Sequence, residues 1–574
     1  MRKKSFSPIV TSIMLLIIVV SSILFFQVWF QSFQSTTLTK IQTHSSSSNA
    51  NSGIKDLQGS ELYFYNAQRE NISIIKIALS NNSCRFTGNI SADTLSILDI
   101  SDCLSGLSGK VEARVTTEKD IFSSYFFIES PTSFCSNNTP ENFFGGTGTL
   151  VDPWQICDCY QLQNIDNYLG GNFTLTQNID CSQTQSWNSG AGFEPIGFGG
   201  PPYFTGTFAA DSYVISDLYI NRPSSNYIGL FSIIDAVNLS NLILENTQFF
   251  GFEFIGSFAG YASTSFFENS HSSGSLNGSR WVGGLVGNSW QSSFNDTFFS
   301  GTINGSRDSG GLVARSQYSS INRSYSAGIV TGSIMNIGGL VGYLKYSSVD
   351  NSYSSSNLPS TSGRDVGGLV GYVYYSSIDN SYSTGTVTGS SYIGGLVGST
   401  WGSQLRNVSA SGAVSGSSDN VGGLVASHGY SSIDNSYSTG TVTGPSNIGG
   451  LAGYLTTSST INNSYSSSSV SGTSNVGGLV GNSNSSNIIN NSYSIGAVTG
   501  SSNVGGLVGI SASSTALDSY WDTDTSGQAL SALGIGKTTS ELQTPTTNTG
   551  IYLNWSSSLW DFGTATEYPL LILQ

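Results

Sequence analysis

Val366-Gly367-Gly368-Leu369-Val370-Gly371 decides the fold of this chain, because the phrase keeps returning. Versions of it are placed by Gly229, Gly256, Gly283, Gly310, Gly338, Gly367, Gly394, Gly422, Gly449, Gly477 and Gly505, at intervals of 27 to 29 residues. Between two copies lie a second unit, Ser377-Ile378-Asp379-Asn380-Ser381-Tyr382, and a third, Gly385-Thr386-Val387-Thr388-Gly389. Three short β-prone units per repeat, with Gly or Ser at the corners and no helical period, predict one coil of a parallel β-solenoid. A single coil cannot bury its own apolar side. Stacked coils can, and eleven of them at about 4.8 Å each make a rod about 50 Å long. The expected fold class is therefore all-β, an elongated parallel β-solenoid (β-helix) of about 28-residue coils.

Strict alternation through the second unit predicts that Ile378, Asn380 and Tyr382 face inward while Asp379 and Ser381 face out. Two inner ladders would follow. One is Asn351, Asn380, Asn407, Asn435, Asn463 and Asn491; the other is Tyr325, Tyr353, Tyr382, Tyr437, Tyr465 and Tyr493, broken at Ser409. The paired glycines are expected to give corners with positive φ and close backbone approach, and their spacing does not match a phosphate-binding loop. An open solenoid exposes unpaired edges and needs caps. The expected division is a cap and lead-in over 135–228, the repeat array over 229–513 and a C-terminal cap over 514–574, which carries Trp521, Trp555 and Trp560.

The recurring Gly-Gly-Leu-Val-Gly phrase resembles the GLUG repeat of bacterial and archaeal surface proteins. Gly148 through Ile156, Asn178-Ile179-Asp180-Cys181, Phe193-Glu194-Pro195-Ile196-Gly197 and Phe204-Thr205-Gly206-Thr207-Phe208 look like the usual opening of such arrays. Ser519-Tyr520-Trp521-Asp522, Gly536-Lys537-Thr538-Thr539 and Tyr568-Pro569-Leu570 are similar to their common exit. The resemblance spans about residues 145–574. It implies an exported, surface-associated repeat protein and assigns no chemistry.

The front of the chain reads as an anchor. Residues 9–30 are apolar apart from Thr11, Ser12, Ser21, Ser22 and Gln27, long enough to cross a bilayer as a helix. Arg2, Lys3 and Lys4 precede this run and the next basic residue is Lys40, which predicts a cytoplasmic N-terminus and an extracellular bulk. Lys4-Ser5-Phe6-Ser7-Pro8-Ile9-Val10 resembles the start of archaeal type IV pilin-like proteins, which implies leader cleavage near Ser5 and Phe6 and, as an alternative role, a filament subunit. Residues 1–35 are thus a basic leader and transmembrane helix, 36–60 a flexible spacer of Ser, Thr, Asn and Gln, and 61–134 a small β-domain like the pilin head. Its strands are suggested by runs such as residues 72–79 and Val111-Glu112-Ala113-Arg114-Val115.

Composition narrows the chemistry. Twenty basic against 35 acidic residues give a net charge of −15, which argues against nucleic acid as a partner. The six cysteines, Cys84, Cys103, Cys135, Cys157, Cys159 and Cys181, suit disulfides on an exported chain; Cys84 with Cys103, and Cys181 with Cys157 or Cys159, are the local pairings. His44, His271 and His428 are too dispersed for a metal site, and no cofactor is expected.

Parallel β-helices also host polysaccharide lyases and hydrolases, so the outward column Asp350, Asp379, Arg406 and Asp434 is the best place to look for paired carboxylates. Arg406 between two aspartates suits neutralisation of the column better than catalysis, and the expectation is a non-enzyme. A binding face is the stronger reading. Tyr318, Tyr346, Tyr375 and Tyr430 each precede a Ser-Ser pair at one outward corner, where ordinary corner packing is one reading and an aromatic stripe suited to sugar rings or a protein partner is the other. The sequence thus points to a membrane-anchored surface rod contacting glycans, cells or neighbouring subunits.

Overall fold

The computed structural model describes residues 143–360 and 362–572, together with strands lying between residues 53 and 128. Residues 1–52 lie outside the described residues, and with them the expected apolar helix, the leader at Ser5 and Phe6, and His44. Among the described residues no helix is long and apolar enough to cross a membrane. The chain divides into two compact units between Asn137 and Asn138.

The described strands of the first unit pair antiparallel. Gly53–Gln58, Glu61–Asn66 and Thr94–Asp99 form one sheet; Asn82–Cys84, Ile72–Leu79, Gly109–Thr117 and Ile121–Ile128 form another, with Gly88–Ile90 also on Ile72–Leu79. Alternation is legible here, since Ala113 and Val115 are buried and Arg114 between them is exposed. The reading of 36–60 as a spacer fails at its end. Gly53–Gln58 is a strand, because Ile54 turns inward and its backbone pairs with Glu61–Asn66.

The second unit is a parallel β-solenoid of about 11 turns. Coil stacks on coil in register: Gly310 pairs with Gly338, Gly338 with Gly367 and Gly367 with Gly394. A representative coil holds five short strands, Arg364–Gly367, Val370–Tyr374, Ser377–Asp379, Tyr382–Ser383 and Val387–Gly389, where the sequence suggested three. In four earlier coils the last two fuse into one, as Ile243–Phe250, His271–Asn277, Phe298–Asn304 and Tyr325–Thr331. Stacking starts before Gly229, since one sheet runs from Trp154–Ile156 to Thr515–Leu517.

Leu340, Leu369, Leu396, Leu424, Leu451, Leu479 and Leu507 form one fully buried column, and Val349, Ile378, Leu405, Ile433, Ile461 and Ile489 another. Each such side chain contributes about 1.5–3 kcal/mol by leaving water. The glycine pairs serve close approach alone: a Cβ on Gly368 would sit 2.0 Å from the carbonyl oxygen of Gly395 in the next coil. They do not adopt positive φ as the sequence suggested. Other residues take the left-handed corners, for example Tyr375 (φ 45°), Asn380 (φ 48°) and Tyr392 (φ 59°).

Those corners overturn the predicted inner ladders. A left-handed residue between two strands resets the alternation, so after inward Ile378 and outward Asp379 the chain turns at exposed Asn380. Ser381 and Ser383 then face inward and Tyr382 faces out, 42% exposed. Both ladders exist, but on the outside of the rod. What stands inside the corners is serine. The N–H of Ser347 donates to Ser376 Oγ at 3.1 Å and that of Ser352 to Ser381 Oγ at 3.1 Å, while each hydroxyl donates to a carbonyl two residues back in its own coil. Backbone donors that a sharp turn would orphan are thereby satisfied in a water-free place.

Both ends are closed. At the front, the short helix Cys159–Asn164 is capped by the Asp158 carboxylate, and Cys159 is joined to Cys181 across a Cα–Cα distance of 5.5 Å. Cys157 is likewise disulfide-bonded; Cys103 and Cys135 lie outside the described residues. At the back, Ser531 Oγ accepts the N–H groups of Leu507 and Val508, at 3.1 and 2.8 Å, across the last coil. The remaining segment folds along one flank, where Trp555 and Trp560 pack with Tyr465, Tyr493 and Tyr520.

Candidate binding site

The four stripe tyrosines all sit at left-handed corners, with φ of 52°, 50°, 45° and 48° for Tyr318, Tyr346, Tyr375 and Tyr430. Each is 41–52% exposed. Tyr318 and Tyr346 stack at 5.1 Å between ring centroids, and Tyr346 and Tyr375 at 5.9 Å. These three line an open groove of about 710 Å³ together with Phe266, Gln291, Gln404 and the serines that follow each ring. Lys345 extends its ammonium over the Tyr346 ring at 5.3 Å, a cation–π contact on the groove wall.

Tyr430 is not continuous with the other three. Gly402 holds the intervening corner, and the Tyr375 ring lies over it, 2.6 Å from where a Cβ would stand. Tyr430 instead meets Trp401 edge-on at 4.8 Å. The sequence reading also missed Trp290, which packs edge-on against Tyr318 at 4.7 Å; its signal was an outward aromatic at the end of a strand, one residue before the corner.

The acidic column is held by an ion pair and by asparagine amides. Arg406 Nε lies 3.4 Å from Asp379 Oδ1. Asp350 accepts from the amides of Asn351 and Asn380 at 2.8 and 2.9 Å, and Asp434 from Asn462 at 2.8 Å. Each carboxylate thus has a hydrogen-bonding or ionic partner of its own.

Two buried aspartates escaped the sequence reading. Asp308 accepts from Asn336 Nδ2 at 2.6 Å and Trp281 Nε1 at 2.9 Å, with Arg315 at 3.4 Å. Burial pushes its carboxyl up against the pull of these donors. Asp365 accepts from Ser399 at 2.5 Å and Arg364 at 3.1 Å and is raised for the same reason. Both stand in a corner column otherwise held by residues such as Asn336, Asn420 and Asn447; Trp281 and Asn336 are neighbours of Asp308 along that column, whereas Arg364 precedes Asp365 in its own strand and Ser399 comes from another. The histidines remain apart: His271 stacks on Phe298 at 4.2 Å, and His428 is fully buried with Nδ1 2.7 Å from Thr400 Oγ1. Among the described residues no group of three or more His, Cys, Asp or Glu could hold a metal ion.

Comparison with known proteins adds the following. The GLUG motif is matched at residues 362–388, 389–415 and 417–443, so the chain carries GLUG repeats. Halomucin of Haloquadratum walsbyi is 35% identical over 184 residues, 31% of this chain and 2% of halomucin. A protein named as a Gly-rich membrane protein of Evansella cellulosilytica is 40% identical over 94 residues, 16% of this chain and 11% of that protein. The chain therefore spans only a small part of these relatives' length. Among solved structures, a protein assigned as an immunoglobulin A1 protease from Bacteroides ovatus aligns over 75% of this chain and 96% of its own, at 19% identity and a TM-score of 0.20. Another IgA1 protease aligns over 76% of this chain and 27% of its own, at 13% identity and a TM-score of 0.23.

Proposed function

We propose that this GLUG-repeat solenoid is a surface rod, tethered to the lipid bilayer by residues 9–30 with the bulk outside the cell, which works by contact with glycans or other surface proteins and not by catalysis. Its similarity to halomucin and to a protein named as a membrane protein supports the location.

The observation that carries the contact role is the groove of Tyr318, Tyr346 and Tyr375. A bulky residue at positive φ costs about 1–2 kcal/mol relative to an ordinary backbone conformation. Other coils fill the same corner with Ala236, Thr264, Gln291 and Ser458, so the fold itself does not demand tyrosine there. Three strained, half-exposed, stacked rings beside neutral hydroxyls and amides offer flat apolar faces with hydrogen-bonding edges, the complement of a carbohydrate chain lying along the rod.

The test is a glycan array probed with the full chain, alongside Tyr346→Ala and Tyr375→Ala. Binding to at least one glycan, weakened tenfold or more by either substitution, is the expected outcome; unchanged binding by both variants rejects the groove.

A further inference from the structure

The outer aromatic ladder has a missing rung, and we infer that the gap between Tyr382 and Tyr437 is a slot for one neutral sugar ring. This deepens the carbohydrate-contact reading, on which it rests, but places a second site on a different flank of the coil.

The ladder is regular on both sides of the gap. Tyr325–Tyr353 and Tyr353–Tyr382 stack at 4.9 and 5.0 Å with their planes 2° and 3° apart. Tyr437–Tyr465 and Tyr465–Tyr493 repeat this at 5.0 and 5.1 Å, at 4° and 7°. Between the two runs, Ser409 takes the register position of the ring, paired with Tyr382 on one side and Tyr437 on the other. Removing one rung leaves two phenol rings facing each other across two coil rises, about 10 Å. The space stays open, as a cavity of about 560 Å³. The Gly402 gap in the corner stripe differs, because there the neighbouring tyrosine leans in and fills it.

The lining selects the occupant. The two rings are its aromatic walls; the rest is amide and hydroxyl, including Asn380, Asn407, Ser409 and Thr439, and no charged residue lines it. Asn407 spends one amide hydrogen on Asn380 Oδ1 at 3.0 Å and Asn380 spends one on Asp350 at 2.9 Å, so each keeps a second donor beyond the ladder. A sugar ring presents C–H groups on its two faces and hydroxyls around its rim, which matches ring walls and a polar surround at once. An aromatic side chain would match the walls and leave the polar surround unpaired, and an acidic sugar would meet no cation. The chain's own C-terminal segment does not fill the slot. Its tryptophans cover Tyr465 and Tyr493, further along the ladder.

The test uses the full chain and linear hexasaccharides of glucose, galactose and mannose as probes, read by saturation-transfer NMR and titration of tyrosine fluorescence. Ser409→Tyr restores the ring found at this position in the coils on either side, so it folds and plugs the slot; Tyr382→Ala removes one wall. In the Tyr346→Ala background, which removes the groove's contribution, at least one hexasaccharide is expected to bind, with a tenfold or greater loss when either substitution is added. Binding that survives Ser409→Tyr overturns the slot, as does the absence of binding by all three probes. Loss in Tyr346→Ala alone overturns the slot while leaving the groove reading intact. Binding of a tyrosine-containing peptide in place of sugar, blocked by Ser409→Tyr, overturns the sugar assignment.

Discussion

His428 is fully buried, with Thr400 on Nδ1 and no hydrogen-bond partner on Nε2. Burial lowers its pKa from 6.5 to about 3. An unfolded chain therefore binds a proton here between those values and the folded chain does not, so this residue's contribution to stability is complete above pH 6.5 and is lost as pH falls toward 3. Asp308 and Asp365 are shifted upward by burial and act with the opposite sign, so a whole-protein pH profile mixes the effects. The difference between wild type and His428→Leu separates them. Leucine already occupies this column at Leu455, the register partner of His428 in the next coil. At neutral pH removal of the unsatisfied nitrogen is offset by Thr400 Oγ1, which loses its partner, so we expect the variant to differ little there and to gain on wild type as pH is lowered from about 6.5 to about 4. Urea midpoints measured across that range check this; parallel curves for the two proteins would show that His428 escapes burial.

At the scale of the strand and the ladder, the C-terminal segment is an integral part of the flank it covers. Trp560 is 1% exposed and packs against both Tyr465 and Tyr493, at 6.3 and 5.9 Å between ring centroids, while Trp555 stacks on Tyr493 at 6.1 Å. Its indole nitrogen has no hydrogen-bond partner, so what it contributes is packing. Trp560→Ala should cost about 3–5 kcal/mol, confined to this flank. Hydrogen exchange is expected to accelerate in residues 538–572 and around Tyr465 and Tyr493, and to stay unchanged around Tyr325 and Tyr353; uniform acceleration would mean that the coils unfold as one. The existence and outward accessibility of the Tyr318, Tyr346 and Tyr375 stripe were legible in the sequence, because a 28-residue period stacks like on like whatever the conformation. The side on which Asn380 and Tyr382 fall was not. Period-two counting holds only within a strand, and a left-handed corner at Asn380 reverses everything after it. The buried serines were equally hidden, since Ser376 and Ser381 read as loop composition until the turns they satisfy are seen. Asp308 and Asp365 were missed because they replace asparagine in a corner column whose burial the sequence does not announce.

On the scale of the whole solenoid, regularity is a hazard that the ends must control. Every coil offers the same strands to the next, so an uncovered last coil would present the 502–505 and 508–512 strands as a template for another molecule's first. Ser531 prevents this by accepting from Leu507 and Val508, and the carbonyl of Leu530 accepts from Gly506, taking the edge donors with irregular chain. Ile535–Lys537 pairs with Tyr520–Asp522 and ends that sheet as well. The net charge of −15 opposes association in general, but it acts over about 8–10 Å at moderate salt and is screened beyond that. Edge pairing is short-ranged, so charge alone should not suppress it. A fragment of residues 138–574, which follows the boundary of the second compact unit, is therefore expected to sediment as a monomer. A fragment of 138–522, which keeps every coil strand and loses the covering segment, is expected to form end-to-end oligomers whose size grows as salt is raised. Analytical ultracentrifugation at low and high salt distinguishes the cases. If the shorter fragment remains monomeric at high salt, the segment after Asp522 is needed only for the tyrosine flank, and the rod's end is protected by the twist or irregularity of its own last strands.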